Sequence, residues 1–356
     1  MRSRPQKTVI LFTLWIILLL LLSACGRSPA AMPAATATPA LLRPPAEDWS
    51  GLSPEAIATL RSLEKVDDHP LYVMRYTGRY DDHATGWTWP RGSAFSCSLF
   101  VVLGQAGDMV YGRNFDWEFS PALLLFTDPP DGYASVSMVD LTYLGIDPAN
   151  ATSLTDLPLT ERSALLAAPT MPFDGMNLYG LTIAMAAVPD ALPSNARRDP
   201  SKPTIGSIGI IREILDHARS VDEAVPLFER YNIDFTGGPT LHYLLADPGG
   251  AAVLVEFCEG EMVVLPNEAP WHMATNHLRC SAAGDGGCER YRTISERLAA
   301  TNGQMHAQAA MQLLSEVAQS GTQWSVVYNV TSGDVDVTVG HSYSTVFPFH
   351  LDRVRP

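Results

Sequence analysis

Cys97 begins the stretch CSLFVVLGQAGDMVYGRNFDW, in which Arg113 follows it by sixteen positions and Asp116 by nineteen. A thiol, a guanidinium and a carboxylate held together can do nucleophilic chemistry, because the cation favours the thiolate and the carboxylate can hold an ammonium group. Each residue alone has a plainer use. A cysteine in an apolar strand is commonly a small buried hydrophobe, and an arginine three residues from an aspartate is commonly a surface ion pair. Their combination is what points to chemistry.

The elements between them must close the distance. Residues 98–103 form an apolar, β-branched run, 104–108 a turn, and 109–111 a second short strand, so a hairpin brings GRNFDW at 112–117 back beside the cysteine. No histidine is placed beside Cys97 by its sequence position, which leaves the thiol without an evident side-chain base.

Ser53 followed by Pro54 predicts a capped helix over 54–66, and 71–76 reads as a strand. The polar, Gly- and Pro-broken stretch 81–96 reads as loop. The stretch SPALLLFTDPPDGY at 120–133 lacks clean periodicity and is expected as a loop over a site, with 123–126 lining either an acyl pocket or a buried connector. Ile208, Ile211, Ile214 and Leu215 recur at helical spacing, and Ser220 with Glu223 makes a capping box for a second helix reaching Tyr231. Helices are expected at 289–300 and 306–319, and strands at 242–246, 251–257, 262–265 and 324–330, the first pair of strands joined by an Asp-Pro-Gly-Gly turn. Blocks of antiparallel strands alternating with helix pairs suit a layered α+β fold.

A cysteine followed by Ser, an apolar strand, a turn and G-R-N-x-D-W resembles the linear amide C–N hydrolases of the N-terminal nucleophile superfamily. That group includes choloylglycine hydrolase, penicillin V acylase, acid ceramidase and N-acylethanolamine acid amidase. Further segments resemble the family in the same order: DGMNLYGLTIAMAAVP at 174–189, HYLLADPGGAAVLVEF at 242–257, MATNH at 273–277 and WSVVYNVTSGDVDV at 324–337.

The resemblance implies a four-layer αββα sandwich and a nucleophile that uses its own α-amine as base, whose ordinary pKa of about 8 suits proton transfer near neutrality. Cys97 is internal as encoded, so self-cleavage between Ser96 and Cys97 is expected. By resemblance, Asp116 orients the amine and Arg113 stabilises the thiolate. Asn276 supplies an oxyanion donor, and Asn177 serves either the site or a turn. Arg290 or Arg292 is the second arginine near the nucleophile, with Arg290 preferred. Ser98 in place of the commoner threonine and Leu178-Tyr179 in place of a polar pair depart from the family pattern at positions that bear on substrate contacts. The implied activity is hydrolysis of a linear N-acyl amide through a thioester, with no metal or cofactor. The rivals are an acyltransferase of the same family and a non-catalytic ligand-binding lipoprotein on this fold.

The chain opens with Arg2, Arg4 and Lys7, an apolar run over 9–22, and Leu22-Ser23-Ala24-Cys25. A basic start, a short apolar core and small residues before a cysteine describe a lipoprotein signal over 1–24, with lipid on Cys25 anchoring an exported protein to the extracytoplasmic face of a bacterial membrane. Residues 25–48, rich in Ala and Pro, suit a flexible tether. Residues 49–96 then form a pro-segment of a helix and a strand, and 97–356 the amidase domain. No second low-complexity linker divides the folded part, which favours one domain.

The net charge is −14, and near −17 without the three basic residues of the leader, a balance that repels phosphate backbones and excludes nucleic acid as a partner. An exported chain meets oxidising conditions, and Cys280 with Cys288 closes a small loop suited to a disulfide, leaving Cys258 without an evident partner. His272, His277, Cys280 and Cys288 are spaced too irregularly for a convincing zinc set. Ser62 and Lys65 match S-x-x-K, but neither S-D-N nor K-T-G follows.

Overall fold

The computed structural model describes residues 51–80, 96–104, 108–188, 198–280 and 287–354. Backbone contacts separate the chain into the units Met1–Ala46 and Glu47–Pro356, and every described residue lies in the second. The expected signal at 1–24, the lipid-bearing Cys25, the tether at 25–48 and most of the polar loop before Cys97 lie outside the described residues.

Two sheets form the centre. The larger has nine strands in the order β1 (Glu64–Asp67), β2 (Leu71–Tyr76), β5 (Ala122–Thr127), β6 (Ser135–Asp140), β7 (Asp174–Asn177), β8 (Thr182–Ala187), β11 (Leu241–Ala246), β12 (Ala252–Cys258) and β13 (Glu261–Pro266). All its pairings are antiparallel except that of β2 with β5. The smaller sheet has six antiparallel strands in the order β14 (Trp271–Ala274), β3 (Ser96–Val102), β4 (Val110–Asp116), β15 (Thr322–Asn329), β16 (Asp334–Val339) and β17 (Phe347–His350). A short parallel pair, β9 (Thr204–Gly206) and β10 (Asn232–Asp234), stands apart.

Apolar periodicity explains the layering. Alternate residues of the smaller sheet, among them Leu99, Val101, Tyr111, Trp324, Val326 and Tyr328, are buried in one core with the nine-stranded sheet. The residues between them, Phe100, Val102, Val110 and Val327, form a second core with α4 (Glu289–Thr301) and α5 (Ala307–Glu316) through Ile294, Leu298, Leu313 and Leu314. The larger sheet is covered by α1 (Pro54–Arg61), α2 (Gly209–His217) and α3 (Val221–Arg230), whose Leu60, Ile211, Ile214 and Phe228 join the first core. The result is helix, sheet, sheet, helix, the expected four-layer α+β sandwich. Among the described residues, no helix is long and apolar enough to cross a membrane.

Two local expectations are corrected. The first helix ends at Arg61 rather than 66, because the Ser62 hydroxyl bonds to both Thr59 O and Arg75 O and turns the chain into β1. The stretch read as a loop over a site is β5, buried at all six positions. A strand inside a sheet covered on both sides is apolar without alternation, which removes the signal that would identify it. Leu123–Leu125 are therefore core and do not line an acyl pocket.

Candidate active site

Strand register turns the sequence spacing into geometry. Cys97 stands opposite Phe115 and Leu99 opposite Arg113 in the β3–β4 hairpin, so Arg113 is the diagonal neighbour of Cys97 on the inner face of the sheet. That is within reach of a long side chain, and Arg113 Nη2 lies 4.0 Å from Cys97 Sγ. Gly112 is needed beside it, since a Cβ there would meet the ring of Phe100 on the paired strand at 2.5 Å.

Arg113 is fully buried and held from the other sheet. Its Nη1 donates to Phe173 O at 2.7 Å and to the Asp174 carboxylate, whose second oxygen accepts from the Tyr328 hydroxyl. Burial works against the guanidinium charge, and Asp174 beside it holds the group protonated. Burial also pushes the Cys97 thiol up, with Arg113 opposing that shift. The sulfur is thus kept as a thiol, 4% exposed, beside a cation that favours a thiolate.

The opposite face of the same hairpin is polar where the inner face is apolar. Ser96 pairs with Asp116 and Ser98 with Asn114, and Arg290 from α4 reaches across these positions. Arg290 Nη1 donates to Ser98 Oγ at 3.0 Å and to the carbonyl of Cys97 itself, while Nη2 donates to Ser96 Oγ at 3.3 Å and Asn276 Oδ1 at 2.9 Å. Asp116 accepts from Thr322 Oγ1 through one oxygen. Its other oxygen is buried without a hydrogen bond, 3.9 Å from Arg290 Nη1. Burial raises its pKa to about 6, against the hydrogen bond from Thr322.

Asn276 follows β14 and touches Cys97 directly: its Oδ1 accepts the backbone N–H of Cys97 at 2.6 Å. The amide orientation is fixed by chemistry, because Oδ1 also meets an obligate donor of Arg290 while Nδ2 faces the carbonyl of Ala187 at 2.8 Å. The side chain bonded to the Cys97 nitrogen is therefore Asn276, where the resemblance points to Asp116.

Five of the six sequence-predicted catalytic residues thus converge: Cys97, Arg113, Asp116, Asn276 and Arg290. Asn177 does not join them. Its amide donates to Leu215 O and Ala218 O at the end of α2 and accepts from Tyr179 N, closing a turn in which Gly180 takes a φ of 80°. Asp174 was the missed member. Its signal was a lone acid in an apolar segment, three residues before the asparagine that drew attention.

The disulfide expectation is overturned. Cys280 is joined to Cys258, not to Cys288, and Cys288 is a free thiol that accepts from Thr275 Oγ1. Strand β12 ends at Cys258 beside the turn after β14, which brings 258 to 280 across 22 positions, while Cys288 takes the N-cap position of α4. Cys280 is thereby consumed and offers no ligand to zinc.

A family model described as acyl-coenzyme A:6-aminopenicillanic acid acyl-transferase matches residues 159–333. No curated protein matches the chain by sequence. Among solved structures, a mutant conjugated bile acid hydrolase from Clostridium perfringens is similar at 15% identity and a TM-score of 0.52, covering 72% of this chain and 92% of that one. Penicillin V acylase from Agrobacterium tumefaciens is similar at 17% identity and a TM-score of 0.50, covering 72% and 87%. At such identities the structures speak for the fold, and the family model speaks for the sequence of its second half. Together they show that the chain has the fold of these solved amide hydrolases and that its second half is similar to the acyl-transferase family.

Proposed function

We propose that this chain is a self-processing cysteine amidase that hydrolyses a linear N-acyl amide, exported and anchored through lipid on Cys25. The observation that carries the reading is the surroundings of Cys97: a sulfur 4.0 Å from Arg113, a nitrogen held by Asn276, and a buried Asp116 oxygen lacking a donor. The family name of the matched model and the names of the similar structures support the same class of substrate.

Maturation begins with attack of the thiol on the Ser96 carbonyl. The C–N bond breaks, the acyl group passes to sulfur as a thioester, and the nitrogen leaves as the α-amine of Cys97. Water then cleaves the thioester, leaving a carboxylate on Ser96 and a free thiol. In the mature site the α-amine takes the thiol proton, and the thiolate attacks the substrate acyl carbon. The oxyanion that forms is met by Asn276 Nδ2, and the amine returns the proton to the leaving nitrogen. Water hydrolyses the resulting thioester by the same proton path. Asp116 receives the new ammonium with the oxygen that has no donor before cleavage.

The segment before Cys97 stays bound after cleavage in this reading. Strand β2 lies between β1 and β5 inside the nine-stranded sheet, with Leu71, Tyr72 and Met74 fully buried. The lipid on that segment therefore retains the catalytic chain at the membrane.

Intact mass with N-terminal sequencing, beside Cys97→Ala, tests the proposal. A new chain beginning at Cys97 in the wild type and absent from the variant is expected. An uncut chain in both, with no amide hydrolysis, overturns it. The acyl-transferase name of the matched model supports one second reading, transfer of the acyl group to an acceptor amine. Product analysis with added amine competing against water separates the two.

A further inference from the structure

A buried polar pair outside the site described above carries an inference. His242 on β11 and Glu256 on β12 are each fully buried, in strands that are otherwise apolar. His242 Nδ1 lies 2.9 Å from Glu256 Oε1, and Nε2 lies 2.7 Å from the carbonyl oxygen of Thr275. A carbonyl oxygen only accepts, so Nε2 is the donor there. The Glu256 carboxylate goes on to accept the backbone N–H of Arg279 with both oxygens at 2.9 Å and that of Cys280 at 2.8 Å.

These bonds all end on one turn, from Thr275 to Cys280. Burying an acid and an imidazole in an apolar sheet is costly unless their bonds are made, and here they are spent on the backbone of a segment that follows the other sheet. Asn276 is the second residue of that turn and holds the Cys97 nitrogen. The disulfide from Cys258, two positions after Glu256, fixes the end of the same turn.

We infer that His242 and Glu256 are positioning residues for Asn276: a buried pair on the nine-stranded sheet that fixes the turn presenting the Asn276 amide to Cys97. The inference rests on the proposed self-processing reading for its functional consequence, while the clamp itself is a structural claim. A displacement of a catalytic group by about 1 Å can cost on the order of 100-fold in rate. Losing the clamp is therefore expected to slow cleavage at Cys97 by roughly 10- to 100-fold.

The test compares the full chain with Glu256→Ala and Glu256→Gln, following cleavage at Cys97 by intact mass. Glu256→Ala should be slow. Glu256→Gln should restore the rate to within about threefold, since its amide can donate to His242 Nδ1 and its oxygen can accept from Arg279 and Cys280. Cleavage of Glu256→Ala at the wild-type rate overturns the inference, as does a Gln variant no better than Ala. An uncut wild type sinks the self-processing reading instead. Amide hydrogen exchange on the wild type tests the clamp without any substitution: the Arg279 and Cys280 amides should exchange among the slowest in the protein, and exchange at the rate of an open loop overturns it.

Discussion

Asp174 on β7 and Arg113 on β4 form an ion pair that crosses the gap between the two sheets, with both side chains fully buried. Tyr328 from β15 completes the carboxylate, and Phe173 O takes a further guanidinium hydrogen. The pair gives Cys97 a neighbouring cation whose position is set by the opposite sheet. Breaking a buried pair from one side leaves an uncompensated charge, so Asp174→Asn should lose about 3 kcal/mol in urea unfolding. The Arg113→Met, Asp174→Leu double variant should lose less than the two single changes added together. Additive losses would mean that the pair is not coupled as described.

Two buried carboxyls set a dependence of stability on pH. Burial raises both Asp116 and Asp140 to about 6 from 3.8. A raised pKa means that the folded state prefers the neutral acid. Its contribution is therefore fully present below about pH 4 and is lost as pH rises through about 6, at a cost of about 3 kcal/mol for a shift of this size. Asp140 is the cleaner test because it lies outside the catalytic set, where it caps a short turn at Thr142 N. Its other oxygen is buried, with Ser120 beside the carboxyl opposing the upward shift. Asp140→Asn keeps the capping oxygen and removes the titration. Its stability relative to the wild type should improve by about 3 kcal/mol between pH 4 and pH 7, measured by urea unfolding at each pH. A pH-independent difference would show that Asp140 does not titrate in this range.

What the sequence made legible was local. The hairpin holding Cys97, Arg113 and Asp116 follows from strand alternation and a single turn, and the Ser220 hydroxyl caps Glu223 N as expected, although the Glu223 carboxylate accepts from Arg219 N rather than from Ser220 N. Asn276 and Arg290 came from motif resemblance rather than from periodicity, because nothing in the pattern around them says which strand end they meet. Contacts between sheets were hidden. The Asp174–Arg113 pair and the Tyr111 hydroxyl on Leu244 O depend on how two sheets stack, which no local pattern encodes. Strand β5 was lost for the opposite reason: both of its faces are buried, so the alternation that identifies a strand is absent. Glu256 inside an apolar strand was a visible oddity, yet its partner lies on another strand and its purpose on a turn of the other sheet.

The cysteine pairing is where sequence proximity misled most directly. Loop size alone favours Cys280 with Cys288, but β12 carries Cys258 to the same turn, with the Cα atoms 6.5 Å apart. Closing a loop of this length removes about 3 kcal/mol of unfolded-state entropy. Cys280→Ser should therefore destabilise by roughly that amount under oxidising conditions, whereas Cys288→Ser, which removes only a weak thiol contact with Thr275, should change stability by under about 1 kcal/mol. Peptide mapping without reduction should recover 258 linked to 280 and alkylate 288. The consequence extends past stability, because Cys280 ends the turn that holds Asn276. Cys280→Ser should also slow cleavage at Cys97, while Cys288→Ser leaves that rate within about threefold. A Cys280→Ser protein that unfolds more easily yet cleaves at the wild-type rate would show that the bridge serves the fold and not the placement of Asn276.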